Sequence, residues 1–199
     1  MEADWEFELG ADAEGNAAPV IDACWHGLVD LRRAPELARQ VPEAAGLPAL
    51  AEALMRLNGA DSPVWSCKCD FWPRLADGDF DPDEMDAPAG CSTYALGCYI
   101  DLLSAREGQW AQPESIERSC QRWRALLRAI PLRCCRVDMV VRRAQVSAER
   151  MELGITAYLT ACGASRQNAT DTLAAALAGF ADVLCGQSME ESNERRATL

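Results

Sequence analysis

The chain has 199 residues, is 49% hydrophobic and carries a formal net charge of −12. That length suits one sizeable domain, and that apolar content excludes disorder as its general state. The acidic balance argues against nonspecific nucleic-acid binding, which rests on neutralising phosphates, and favours a basic protein or a cationic ligand as the charged partner.

Charge is unevenly spread. Residues 1–110 carry 21 acids against 7 bases, residues 111–150 carry 4 against 9, and residues 151–199 carry 6 against 3. Such a split offers complementary surfaces for self-association, so a homo-oligomer is one expectation. The first residues, MEADWEFELG, lack the basic start and apolar run of a secretory signal, and no stretch reads as a membrane span. A cytoplasmic location, with no membrane partner, is therefore expected. In that compartment the ten cysteines read mostly as small buried hydrophobes rather than as a disulfide framework.

In chain order, the first predicted strand is Trp5–Leu9, where Trp5, Phe7 and Leu9 alternate with Glu6 and Glu8. Next, Val20, Ile21, Cys24, Leu28 and Leu31 recur at helical spacing, interrupted by Gly27. Pro35 and Pro48 each suit the first turn of a short helix, the second ending at Asn58-Gly59. Val64–Trp72 and Tyr94–Leu103 alternate as strands, with an untidy register around Trp65, and form a hairpin across the Asp- and Pro-rich stretch between them. Gln112–Ile130 is the clearest helix, burying Ile116, Cys120, Trp123, Leu127 and Ile130 along one stripe. Cys134–Arg143 and Leu153–Cys162 read as further strands, and Asn168–Cys185 as a last helix burying Leu173, Leu177, Phe180 and Leu184. The domain then spans 1–186, and 187–199 is a polar tail expected to fray.

The order of elements, β-α-β-β-α-β-β-α, implies an α+β fold. Its first six parts match the split β-α-β of ferredoxin-like folds, with an extra strand and helix added. The expectation is a largely antiparallel sheet of about five strands with helices on one face.

Three of the strands carry a cysteine followed three residues later by an aspartate: Cys67 with Asp70, Cys98 with Asp101, and Cys135 with Asp138. Residues three apart in a strand point to opposite faces, so the thiols should face the helices and the carboxylates the open side. That open face should hold Glu6, Glu8, Lys68, Asp70, Tyr99, Asp101, Arg136, Asp138, Arg142 and Tyr158.

Two functions compete for this face. In the first, the protein is a small acidic, non-enzymatic binding protein that holds a protein partner or polar ligand on Lys68, Asp70, Tyr99, Asp101, Arg136, Asp138, Arg142 and Tyr158. A loop bearing Asp77, Asp79, Asp81 and Asp83 would assist. Small secretion chaperones and toxin-neutralising proteins share this acidic α+β character, an analogy of class and charge alone. In the second, Asp70, Asp101 and Asp138 converge on a divalent metal for hydrolysis or phosphoryl transfer, with Lys68 contacting phosphate. The neighbouring Arg136 and Arg142 favour the first reading, because they satisfy acids without any metal.

Other motifs are weak. The Asp77, Asp79, Asp81, Asp83 spacing resembles the start of a calcium loop, but the sixth and twelfth places, which need glycine and glutamate, hold Pro82 and Pro88. Cys24, His26, Cys67 and Cys69 lack zinc-ribbon spacing. His26 is the sole histidine and has no G-x-S-x-G nucleophile beside it. There is no phosphate-cradling glycine loop, and no metal or cofactor is assigned.

Overall fold

The computed structural model describes residues 1–10, 17–74 and 80–197, with backbone alone for 74 and 187–197. Its strands are β1 (Glu2–Phe7), β2 (Ile21–Asp22), β3 (Val64–Arg74), β4 (Tyr94–Ser104), β5 (Cys135–Ser147) and β6 (Arg150–Gly163). Its helices are α1 (Pro42–Ala45), α2 (Pro48–Leu57), α3 (Pro113–Arg128) and α4 (Arg166–Ala197), with 3₁₀ turns at Pro35–Gln40 and Asp83–Met85.

The strands form one open six-stranded sheet in the order β1-β5-β6-β4-β3, with β2 also paired to β5. The β5–β6, β6–β4 and β4–β3 pairings are antiparallel, whereas β1 and β2 both run parallel to β5. The fold is thus α+β, but the sheet is mixed rather than largely antiparallel. The ferredoxin-like order is not confirmed: β6 lies between β5 and β4, and β1 lies at the edge. The cause is a pairing that no local pattern encodes, since Glu2 lies opposite Arg136.

That edge is one strand interrupted by a long excursion. The Glu8 N–H donates to Val141 O at 2.9 Å, the chain leaves, and it rejoins β5 with Ile21 opposite Ala144. The helix expected from Val20 to Leu31 does not form. Ile21 and Asp22 pair in the sheet instead, and Gly27 adopts φ 106°, a left-handed value that breaks any helical turn there. Ile21 and Leu31 are buried by an irregular segment crossing the sheet, while Val20 and Cys24 of the same spacing are exposed, so spacing alone misled.

The helices cover one sheet face. Leu50, Leu54 and Leu57 of α2, Ile116, Cys120, Trp123 and Leu127 of α3, and Leu173, Leu177, Phe180 and Leu184 of α4 share a core with Val137, Met139 and Val141 of β5. Ile155, Ala157 and Leu159 of β6 and Cys98, Ile100 and Leu102 of β4 complete it. The helix α4 starts as expected but runs to Ala197, past the stop signal at Gly186. By length and composition, residues 166–186 could cross a membrane, yet four large apolar side chains of this stretch are buried against the sheet.

The β6–α4 corner needs a residue without a side chain. A Cβ on Gly163 would lie 2.6 Å from the Ala169 N atom and 2.7 Å from Asn168 Cβ, closer than packed atoms approach. Gly163→Ala should therefore destabilise the protein by about 1–3 kcal/mol, the usual cost of overpacking. Urea unfolding followed by circular dichroism checks this, with Gly10→Ala, where nothing among the described residues lies within 4 Å, as the neutral comparison.

Candidate functional site

The register assembles the open face row by row. Lys68, Asp101, Thr156, Val140 and Glu6 lie across the sheet in one row, and Asp70, Tyr99, Tyr158, Asp138 and Asp4 in the next. The face predicted from alternation is therefore the face observed. Cys98 and Cys135 point into the helical core, opposite Asp101 and Asp138. Cys67 departs from the pattern: a β-bulge between Ser66 and Lys68 turns it to the open side, where it is buried with Ile21, Trp65, Leu103 and Ala144. The untidy register around Trp65 was the sequence trace of that bulge.

Two segments close the ends of this face. The 17–33 segment covers one end: Trp25 Nε1 donates to Cys67 O at 3.0 Å, and the Arg32 guanidinium lies 3.8 Å from the centre of the Trp65 ring. At the other end, Met85 is buried against Ala95 and Cys162, with Phe80, Ala87 and Cys134 around it. Between them Trp72, Tyr99 and Tyr158 form an aromatic row, with centroids 5.9 and 6.1 Å apart.

Each charged group on the face then has its own fate. The Arg136 Nε–H donates to both Asp138 oxygens, at 2.7 and 3.0 Å, and its Nη1 lies 3.1 Å from Glu84. Arg142 donates from Nε to Glu8 at 2.7 Å and from Nη1 to the Tyr158 hydroxyl at 3.0 Å. Asp101 is 8% exposed and accepts the Thr156 hydroxyl hydrogen at 2.6 Å. Burial raises its pKa above the ordinary 3.8, against the opposing pull of the Thr156 bond, Arg142 and Lys68. Burial likewise raises Asp138, with the Arg136 bond opposing. Asp70 is exposed and accepts the Phe71 N–H at 2.7 Å. Burial, then Asp101 and Asp70, push the Tyr99 phenol upward, so it stays a protonated donor at neutral pH.

The three aspartates do not converge. Asp70 and Asp138 stand in one row but three strands apart, which at the usual strand spacing is roughly 14 Å. A single ion cannot bridge that distance, and no group of three or more His, Cys, Asp or Glu suited to a metal occurs among the described residues. Lys68 stands opposite Asp101 in the register, and its charge opposes the rise in the Asp101 pKa. It borders a separate, largely apolar cavity of about 500 Å³ between β3 and the 25–31 segment, with Trp25, Val29, Leu31 and Leu54. Cys24 and His26 are exposed while Cys67 is buried, so those residues do not form a zinc cluster.

The face does contain a cleft of about 460 Å³ over β1, β5 and β6, walled by the acidic loop. Five carboxylates line it, from Glu6, Glu8, Asp81, Glu84 and Asp138, against the two guanidiniums of Arg136 and Arg142. Phe80, Met85, Val140, Tyr158 and Thr160 complete it. Asp77 and Asp79 of the acidic loop lie outside the described residues. Asp81 and Asp83 are exposed, whereas Glu84 and Asp86 are tied back to Arg136 and Arg133. The sequence reading missed Glu84, Phe80 and Met85 as part of the face, because their approach to β5 depends on a contact between distant segments. The acidity of the 77–86 stretch was the one available signal.

No protein-family model, no curated protein and no solved structure matches this chain.

The Asp101 environment has a definite pH consequence. A carboxyl whose folded pKa lies above its unfolded value favours folding when protonated, so its penalty is full above the folded pKa. The penalty fades as pH falls through that value toward 3.8. Asp101→Asn keeps an acceptor for Thr156 and removes the buried charge. It should raise the melting temperature at pH 7 by roughly 2–4 °C, with the gain shrinking as the pH falls toward the ordinary carboxyl value of 3.8. Thermal melts of both proteins across pH 3–7 check it; a gain that grows on acidification would show the opposite linkage.

Proposed function

We propose that this protein is a non-enzymatic binding protein that holds a basic protein segment in the cleft between its open sheet face and the acidic loop. The observation that carries this reading is the charge balance of the cleft. Both guanidiniums are already met by Asp138, Glu84 and Glu8, while Glu6 and Asp81 pair with no cation among the described residues. The cleft is left with surplus negative charge beside the Tyr158 and Phe80 rings, a combination that suits Lys or Arg side chains.

The two arginines also give the site shape. A half-buried guanidinium held in two directions is a rigid floor, so an incoming cation meets preorganised carboxylates rather than mobile ones. The ten free cysteines support the expectation of a reducing, cytoplasmic compartment. Self-association stays compatible with this reading, because the basic 111–150 segment of one copy has the charge that such a cleft attracts.

Titrating a fluorescein-labelled Arg/Lys-rich peptide tests the reading by anisotropy. Binding should weaken steeply with added salt, and Glu6→Gln with Asp81→Asn should reduce affinity by about fivefold or more, equal to about 1 kcal/mol. Glu36→Gln, on the exposed 3₁₀ turn at the far side, should leave it unchanged. Equal binding of an Asp/Glu-rich peptide, or indifference to the double substitution, would sink the proposal.

A further inference from the structure

The thiols at the foot of the acidic loop form a second site, distinct from the cleft. Cys135 lies opposite Ala161 where β5 and β6 end, which sets Cys134 opposite Cys162 in the next pair. The Cys162 N–H donates to Cys134 O at 2.9 Å, one cross-strand bond just beyond the last ladder pair, while the Cys134 N–H turns away to Met85 O. Residues joined by a backbone bond across neighbouring strands, which lie roughly 4.7–4.9 Å apart, fall within reach of the roughly 4.4–6.8 Å Cα window in which a disulfide closes. Both side chains pack in the cluster around Met85 on the open side. All ten cysteines are free in this structure.

Two further features single out this pair. Cys134 has φ 61° and Asp86 has φ 50°, the two non-glycine residues with left-handed backbone among those described. Both lie where the loop meets β5: Cys134 N–H donates to Met85 O at 2.9 Å, and Arg133 clasps Asp86 with two side-chain bonds at 2.7 and 3.1 Å. Strained backbone persists only where surrounding contacts hold it, and it gathers at sites with a job. The pair is also asymmetric in access. Cys134 is half-buried and reachable from solvent, whereas Cys162 is fully buried, its thiol pushed up to about 12 by burial.

We propose that Cys134 and Cys162 are a reversible oxidation site that closes as a cross-strand disulfide under low-molecular-weight disulfides and clamps the acidic loop to the sheet. The accessible Cys134 gives up its proton and attacks one sulfur of the oxidant RSSR, forming a mixed disulfide and releasing RS⁻, which takes up that proton. Cys162 then loses its proton and attacks the Cys134 sulfur; a protein S–S bond forms, the mixed bond breaks, and a second RSH leaves. Two thiols are oxidised and one RSSR is reduced to two RSH. The high pKa of Cys162 slows this second step in general, but a partner held in the same packed cluster offsets that by proximity. The clamp acts through Cys134, whose N–H holds Met85, and Met85 and Phe80 wall the cleft. The chemistry stands independently of what the cleft binds.

Oxidised glutathione is the probe, applied to the intact chain and followed by mass spectrometry and peptide mapping. The expected product has lost two hydrogens, carries no glutathione and links Cys134 to Cys162; dithiothreitol reverses it. Cys134→Ser and Cys162→Ala should abolish the link while Cys91→Ser, at another thiol close to the pair, preserves it, with circular dichroism confirming that each variant folds. Amide exchange at Cys134 should slow by at least about threefold in the oxidised protein, because opening the loop contact then requires straining the bridge. A retained glutathione adduct, a link from Cys91, or no link in the folded protein would overturn the site. Unchanged exchange at Cys134 would overturn the clamp.

Discussion

The register of β5 is the constraint on which the rest of the molecule depends. It is paired on both sides, to β1 and β2 along one edge and to β6 along the other. Its side chains divide strictly between Val137, Met139 and Val141 in the helical core and Arg136, Asp138 and Arg142 on the open face. A slip of one residue would bury two guanidiniums beneath α3 and α4 and expose three large apolar side chains. Few misregistrations are so costly, so this strand anchors the geometry of both faces at once.

That division also explains how much of the protein is legible in its sequence. Strands β3 to β6 and helices α2, α3 and α4 show their periods plainly, and the sidedness of Asp101 and Asp138 follows from counting residues from Cys98 and Cys135. The parallel pairing of β1 with β5 does not, because it joins the first residues of the chain to a strand far along it. The segment from Val20 to Leu31 is a subtler case. Of its apolar residues Ile21 and Leu31 are buried almost completely, whereas Val20 and Cys24 are exposed. Ile21 rests on the open side with Trp65 and Leu103, and Leu31 reaches the main core, so one helical stripe was the wrong inference from the spacing. The bulge at Cys67 is similar, since one extra residue in β3 moves a thiol across the sheet.

For the site, residue identities were more legible than relationships. Tyr99, Asp101, Arg136, Asp138, Arg142 and Tyr158 do share a face, but alternation gives no distances between them. The register supplies those, and they separate three aspartates that resembled a metal triad into three environments. Asp138 is an ion-pair partner, Asp101 a buried acceptor for Thr156, and Asp70 an exposed acceptor for its neighbour's N–H. Their pKa directions follow the same logic. Desolvation raises Asp101 and Asp138, and each local donor opposes it without cancelling it.

The location of the cleft follows from how the open face is covered rather than from the sheet itself. A sheet with helices on one side leaves the other wet, and here two connecting segments cross that side from opposite ends. The 17–33 segment pins itself to β3 through Trp25 and Arg32, over the bulge that brings Cys67 beneath it. The acidic loop pins itself to the ends of β5 and β6 through Met85, Asp86 and Glu84. The two covers differ in chemistry. The first is apolar against the sheet and seals its end, whereas the second brings carboxylates to a strand that already carries two arginines and neutralises only part of its own charge in doing so. Negative charge left unpaired by the arginines therefore remains on the stretch of sheet between the two covers, beside Glu6 on the interrupted edge strand. The proposed binding of a cation there has the same physical basis as the docking of the loop: β5 concentrates opposite charges on a face too exposed to bury them and too enclosed to leave them fully hydrated.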